Sequence, residues 1–396
     1  MIMNKKAENN YPVILVHGFL GVGPDCLFSK GFKYFGSFTK NLEKHWESEY
    51  GIEVYQPGLG PFTGMWERSC ELYAYIYGGT VDYGVYHSKK HGINRFGRTY
   101  PGILKDLGTP GPHAKVNIIG HSFGGPTVTM FSWIMTEGSK EELEATPANE
   151  VSEFFKGGHG DVLHSVSTLS ATNRGTSATV IAGENLLQTI SKVLMTAGTK
   201  AGDLIRPIYD LYFDPWNAMK DPTVKSKKAS AEDKQKGIEA YANAKDGGNI
   251  WYEMLPKVSD AMLKGWKANP NTYYIAHPAC GTHRAFMNFQ VPDKHIFLMF
   301  KVTGLIMGFY TNRPELVTVD WRPNDGIVNV PSMGAPAGVE EIKWQPGDAY
   351  KTGIWQVCPS KNWDHQGWAG MFINRDHYYG TMDAILEDIL ALPDVK

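Results

Sequence analysis

Cysteine is scarce. The four in 396 residues, Cys26, Cys70, Cys280 and Cys358, lie far apart with no CxxC pair and no knuckle spacing, which speaks against a disulfide framework and a cysteine-based metal site. Charge of one sign is lacking too. The 39 Lys and Arg stand against 41 Asp and Glu, with no long run of like charge, which argues against a chain that tracks nucleic acid or an anionic membrane by charge. No segment is long and apolar enough for a membrane span: Ile296 to Tyr310 carries Lys301, Gly304 and Gly308 and falls short of the roughly 20 residues required. That stretch is expected to form a buried helix or a wall of a substrate cavity, and no integral membrane insertion is expected. The start, Met1-Ile2-Met3-Asn4-Lys5-Lys6, has no apolar segment of the signal-peptide kind. The chain is therefore expected to be cytoplasmic, or a mature form whose leader is absent.

What is present is length and a strong apolar pattern. A chain of this size buries roughly 75% of the surface its unfolded form exposes, enough for one large catalytic domain with insertions. Pro12 to His17 runs through Val13, Ile14, Leu15 and Val16, too short for a helix and apolar throughout, so it reads as a strand buried on both faces. The glycine-rich His17-Gly18-Phe19-Leu20-Gly21 leaves it. Further strands are expected at Ile52 to Tyr55, Lys115 to Ile119 and Val162 to Leu169, with a helix over Pro126 to Met135. Strand, tight glycine turn and helix are the grammar of a parallel sheet with crossovers. Ile181, Leu186, Leu187, Ile190, Val193 and Leu194 approximate a helical apolar stripe, either an ordinary surface helix or a lid over an apolar site. Lys220 to Gly248 reads as an excursion with one solvent-facing helix, and Tyr379 to Leu392 as a closing helix docked through Met382, Ile385, Leu386, Ile389 and Leu390.

Gly120-His121-Ser122-Phe123-Gly124 falls between an expected strand and an expected helix. A serine hydroxyl is a poor nucleophile at neutral pH and must be held where a base reaches it. Two flanking glycines leave room for the sharp turn that lifts Ser122 above the carboxyl end of the sheet. The base and its orienting acid should come later in the chain. His365, in Trp363-Asp364-His365-Gln366-Gly367, and Asp325, in Asn324-Asp325-Gly326-Ile327-Val328, both occupy punctuated loops where such groups are presented. Asp320 and His377 are the rivals. In this arrangement His365 takes the Ser122 proton and returns it to the leaving group, while Asp325 fixes the imidazole tautomer. The backbone N–H groups of Phe19 and Phe123 are the natural oxyanion donors, their rings being free to line an acyl pocket.

Pro12 to Phe19, Thr80-Val81-Asp82-Tyr83-Gly84 with His87, Arg95-Phe96-Gly97-Arg98-Thr99-Tyr100, the serine elbow, Asn324 to Asn329 and Trp363-Asp364-His365 together resemble the bacterial true lipases of the Staphylococcus and thermophilic Bacillus/Geobacillus group, and more distantly related clostridial esterases. The likeness runs over nearly the whole chain. It implies an α/β-hydrolase fold in a single domain, residues 1–396, with a central mainly parallel sheet, a helical lid and a metal-binding insertion. The family's triad falls on Ser122, Asp325 and His365 and its oxyanion donors on Phe19 and Phe123. A lid is implied over 176–207, with Leu186, Leu187, Ile190, Leu194 and Ile205 facing the cleft. A structural zinc is implied in an insertion over 60–100, with ligands at Glu67, His87 and Asp214. The fourth position is Ile93, and His91, four residues from His87, is a substitute for it because zinc prefers a closed set of four. The calcium site of these lipases is expected to be lost, since Gln366 to Phe372 supplies no acid. A secreted mature form is also implied by the family.

The residues and the resemblance lead to one expectation: a carboxylic-ester hydrolase, foremost a triacylglycerol lipase, working through a serine acyl-enzyme without an organic cofactor. A short-chain or polyester-degrading esterase is the alternative, ahead of an amidase or peptidase and of an inactive lipid-binding module. The expected partners are carboxylic esters at a lipid interface or polyester surface, and not nucleic acid.

Overall fold

Val13, Ile14, Leu15 and Val16 are all fully buried, which a strand achieves only when its sheet is covered on both sides. In the computed structural model, which describes residues 6–24, 26–216 and 230–395, they form β1 (Val13–Val16) of a seven-stranded sheet. The others are β2 (Val54–Tyr55), β3 (Val116–His121), β4 (Leu163–Leu169), β5 (Tyr273–His277), β6 (Glu341–Lys343) and β7 (Trp355–Val357). Their order is β6-β7-β5-β4-β3-β1-β2, and every pairing is parallel. This is the α/β-hydrolase type of architecture expected from the strand-turn-helix pattern.

Side chains alternate across the sheet into two cores. Ile14 and Val16 point into the larger, with Val116, Ile118, Val128 and Phe131. Val13 and Leu15 point into the other, with Trp46, Leu386 and Ile389. The helices that matter for the site are α1 (Met65–Tyr77), α2 (Val85–His91), α3 (Gly124–Glu137), α4 (Ser177–Ala182), α5 (Glu184–Ile205), α6 (Leu298–Phe309) and α7 (Arg375–Leu390).

The strand order reverses at β1, which has β2 on one side and β3 on the other. Loops leaving the carboxyl ends of β1 and β3 part there and open a crevice, the usual ligand position in an open α/β sheet. Because Val16 pairs with Gly120, the loop through Phe19 and the turn through Ser122 emerge side by side.

Two expectations resolve in detail. The segment expected to be a lid divides at Gly183, whose φ of +77° suits glycine and separates the short α4 from the 22-residue α5. The apolar stretch from Ile296 is helical but only half buried. In α6, Phe300, Gly304, Met307 and Gly308 face inward, while Leu298, Met299, Val302, Leu305, Ile306 and Phe309 are exposed. The glycines decide which face packs: a Cβ on Gly308 would stand 2.2 Å from the Gln290 carbonyl oxygen. In the excursion, Ala231–Asn243 is the one expected helix, started by a capping box from Ser230 and Asp233; residues 217–229 lie outside the described residues. No helix among the described residues is long and apolar enough to cross a membrane.

Candidate active site

Ser122 has φ +58°, a left-handed conformation that costs a residue with a Cβ about 1–2 kcal/mol. The turn is held by Ser122 N–H donating to the Leu169 carbonyl and Gly125 N–H donating to the Ser122 carbonyl, each at 2.9 Å. Neither flanking glycine tolerates a side chain. A Cβ on Gly120 would lie 2.3 Å from the Gly124 oxygen, and one on Gly124 would lie 2.4 Å from the Val16 oxygen. Turn strain and close packing thus raise the hydroxyl at the head of α3.

His365 and Asp325 meet it there. Ser122 Oγ lies 2.8 Å from His365 Nε2, and His365 Nδ1 lies 2.8 Å from Asp325 Oδ2. With Nδ1–H donating to the carboxylate, Nε2 is left to accept the serine proton. Asp325 Oδ1 accepts from the N–H groups of Ile327 at 3.0 Å and Val328 at 2.8 Å, and His365 N–H donates to the Asp325 carbonyl at 3.0 Å. Acid and base are therefore tied through side chain and backbone alike. Asp325 is 0%, His365 3% and Ser122 6% exposed, so water screens little of their interaction. The rivals are elsewhere: Asp320 is exposed on a 3-10 turn, and exposed His377 accepts a hydrogen bond from Trp363 Nε1.

Sequence reasoning missed the residues beneath. His17, at the end of β1, directs Nδ1 at the Gly18 carbonyl at 2.8 Å and accepts from Leu59 N–H at 3.2 Å through Nε2. Burial, reinforced by Arg68, pushes its pKa down to about 3, so it stays neutral. The fully buried Arg68 donates to the carbonyls of His17 and Gly60 and, at 2.8 Å, to Thr127 Oγ1. It joins the loop after β1 to the helix after Ser122. A Cβ on Gly18 would lie 2.6 Å from that of Ser122, which is why this loop passes the nucleophile with a glycine.

Ser122 and His365 open onto a cavity of about 440 Å³ walled by Phe19, Leu187, Ile190, Trp251, Met254 and Phe300 among others. Trp251 meets Phe19 edge-on, ring centroids 4.7 Å apart. Of the five side chains expected to face the cleft from 176–207, Leu187 and Ile190 do. Leu186 is exposed, and Leu194 and Ile205 pack against the main core. Phe19 lines the cavity as expected, whereas the Phe123 ring is fully buried in the core. Trp251 carries no motif that would have marked it as a wall, whereas α6 supplies Met299 and Phe300 to the cavity, one of the two roles expected of its stretch.

Residues 9–382 match the family model described as lipase-like, C-terminal domain. The chain belongs to this lipase-like family. It is 32% identical over 367 residues to Lipase 1 of Staphylococcus aureus, covering 92% of this chain and 51% of that protein. The chain thus spans about half the length of the curated relatives it matches. Its fold is similar to Staphylococcus hyicus lipase, with a TM-score of 0.82 at 28% identity over 98% of both chains. It is also similar to EstA from Clostridium botulinum, with a TM-score of 0.80 at 32% identity over 99% of this chain and 90% of that one. The likeness to staphylococcal lipases and clostridial esterases expected from the motifs therefore holds.

The zinc expectation does not. The stretch 60–100 contains α1, α2 and the antiparallel strands Gly79–Asp82 and Phe96–Tyr100, but the metal-binding role is corrected. Among the described residues, no group of three or more His, Cys, Asp or Glu side chains is placed to hold a metal ion. His87 Nε2 instead lies 2.7 Å from Glu67 Oε1 as a buried pair, with the His87 ring stacked on Trp66. His91, the substitute considered for Ile93, turns Nδ1 toward Asp246 at 3.8 Å, and Ile93 itself is buried in the core. The Asp214 side chain lies outside the described residues. Ring stacking and one buried His87–Glu67 hydrogen bond stand where a metal was expected.

Proposed function

We propose that the chain is a serine carboxylic-ester hydrolase acting on water-insoluble esters, with triacylglycerol and other long-chain acyl esters as its leading substrates. The observation that carries this reading is the Ser122–His365–Asp325 array, 2.8 Å at each link, at the floor of an apolar cavity. Ser122 Oγ attacks the ester carbonyl while His365 Nε2 takes its proton. The Phe19 and Phe123 N–H groups receive the oxyanion. Collapse of the tetrahedral intermediate breaks the ester C–O bond, His365 protonates the departing alkoxide, and Asp325 offsets the imidazolium charge meanwhile. Water, deprotonated by His365, then attacks the acyl-enzyme to release the carboxylic acid and restore Ser122.

Insolubility of the substrate is supported by α6. Met299 is both exposed and part of the cavity wall, and it is continuous along α6 with the exposed Leu298, Val302, Leu305 and Ile306, apolar surface of the kind that marks an interaction site. The segment from α4 through α5 acts as the lid, Gly183 its joint and Leu187 and Ile190 its cavity face. A flexible polyester fits the same surface. The test is an acyl-chain series of p-nitrophenyl esters beside emulsified triglyceride, with matched amides as a control. Turnover of long esters and emulsion without amide cleavage is the expected result. Activity confined to short soluble esters would overturn the insoluble substrate class, and efficient amide cleavage would overturn ester specificity.

A further inference from the structure

The whole chain is nearly neutral, yet one face near the cavity mouth is not. Lys30, Lys33, Lys40, Lys44 and Arg375 line a separate open pocket of about 560 Å³, whose acidic side chain is Glu49. Lys40 is the anchored one: its Nζ donates to the Gly370 carbonyl at 2.8 Å. Among the described residues Lys30 and Lys33 have no ion-pair partner, and Lys44 acts on the neighbouring Glu47 carboxyl without a direct ion pair. Four of the five cations come from one short stretch, 30–44, and Arg375 begins α7.

Aromatic side chains join this pocket to the active-site cavity. Phe32 is a wall of the cavity over Ser122. It contacts Phe28 at 5.3 Å and Phe38 at 5.1 Å between ring centroids, and Phe38 is a wall of the basic pocket. Phe38 is 67% exposed, and Phe28, on the other side of Phe32, is exposed as well. A second connection runs through 370–375: Met371 lines the cavity, Gly370 holds Lys40, and Arg375 lines the pocket. Exposed aromatic rings interleaved with unpaired lysines are the composition that lies at a lipid headgroup boundary, rings in the acyl layer and ammonium groups among the anions.

We propose that this face docks the protein on an anionic lipid surface, with headgroup phosphates or carboxylates seated between Lys30, Lys33, Lys44 and Arg375 while Phe28 and Phe38 enter the apolar layer. Charge complementarity selects this occupant. The apolar rim at α6 suits any insoluble ester, whereas cations at the adjoining face add preference for a surface carrying negative charge. The docked orientation brings the mouth over Ser122 against the surface. The inference rests on the ester-hydrolase reading for its purpose, since hydrolysis leaves carboxylates in the surface and would strengthen attachment, but it is tested without turnover.

The full chain carrying Ser122→Ala is sedimented with vesicles of phosphatidylcholine alone or of equimolar phosphatidylcholine and phosphatidylglycerol. Anionic vesicles should bind it at least tenfold more tightly, and the preference should shrink with added salt. Adding Lys30→Gln, Lys33→Gln and Lys44→Gln should cost about fivefold in anionic-vesicle affinity for each lysine and leave neutral-vesicle binding unchanged. In the background with Ser122 intact, the triple variant should hydrolyse a short soluble ester at the parent rate. Equal binding to both vesicle types, an undiminished preference in the triple variant, or loss of soluble-ester turnover would each overturn the docking role. Displacement by inorganic phosphate at matched ionic strength would also overturn it, in favour of a site for free anions. Failure of the parent to hydrolyse any ester would count against the Ser122 reading and leave the vesicle result to be judged separately.

Discussion

The Tyr34 hydroxyl lies 2.8 Å from His121 Nδ1. It accepts from Gly18 N–H at 2.9 Å and donates to His121, whose Nε2–H donates in turn to the His365 carbonyl at 3.0 Å. Burial, with His365 close by, holds the His121 pKa well below its ordinary value, so the ring stays neutral and keeps these two roles. One phenol thus links the loop carrying Phe19 to the loop carrying His365.

Tyr34→Phe removes that oxygen and little else. It should lower kcat about tenfold to a hundredfold, the equivalent of one or two hydrogen bonds to the site, with KM for a short ester nearly unchanged. His121→Gln, which keeps a donor for the His365 carbonyl, should retain more activity than His121→Leu. Unaltered kcat in Tyr34→Phe, accompanied by a lower Tm, would assign the phenol a purely structural part.

Asp325→Asn should preserve the fold, because the amide oxygen can still accept from Val328 N–H, but it presents the wrong partner to His365 Nδ1. A fall in kcat on the order of 10³ to 10⁴ is expected. Steady-state kinetics on a soluble ester measure it, and a loss smaller than tenfold would remove Asp325 from the role of orienting acid.

Stability should decline on acidification. Burial is the largest cause lowering the pKa of His17 to about 3 and of His91, His164 and His277 to about 4, against 6.5 in the unfolded chain. Their contribution is complete above 6.5 and is lost as pH falls toward the folded values, because only the unfolded chain takes up the protons. Glu71 and Glu253, raised chiefly by burial to about 7 and about 8, have the opposite sign: their contribution is present below the unfolded value of 4.5 and fades as pH rises through 7 to 8. The histidines are more numerous and dominate below neutrality, each worth about 1.4 kcal/mol per pH unit within its window. Urea unfolding should therefore show a lower midpoint at about pH 5 than at about pH 6.5. An equal or higher midpoint at the acidic pH would contradict this balance.

Trp251 stands against Phe19 in the cavity wall, and its truncation opens space where an acyl chain would lie. Trp251→Ala should shift the preferred p-nitrophenyl ester toward longer or bulkier acyl groups, lowering kcat/KM for the shortest esters most. An acyl-length profile parallel to that of the parent would place the acyl chain elsewhere.

Much of this geometry was legible in the sequence because tight turns advertise themselves. Gly120 and Gly124 bracket Ser122 for steric reasons, and Gly326 and Gly367 punctuate the loops of Asp325 and His365. Apolar stripes say less, since they report that a side chain avoids water without naming its neighbour. Along α5 the single stripe serves two surfaces, the cavity at Leu187 and Ile190 and the core at Leu194 and Ile205. In α6 most of the apolar residues face outward, because Gly304 and Gly308 share the packed side with Phe300 and Met307. The metal expectation failed for a related reason: Glu67 and His87 have suitable chemistry, but their fold pairs them with each other. The basic face was invisible in the overall charge balance, as Lys30 to Lys44 meet Arg375 only through the fold.

Reaction with a p-nitrophenyl alkylphosphonate, followed by peptide mass spectrometry, tests the central claim most directly. The account predicts one phosphonyl group per chain, attached to Ser122, with ester hydrolysis lost in proportion to labelling and no adduct in Ser122→Ala. Full ester hydrolysis by Ser122→Ala, or inactivation with the adduct on another residue, would contradict it.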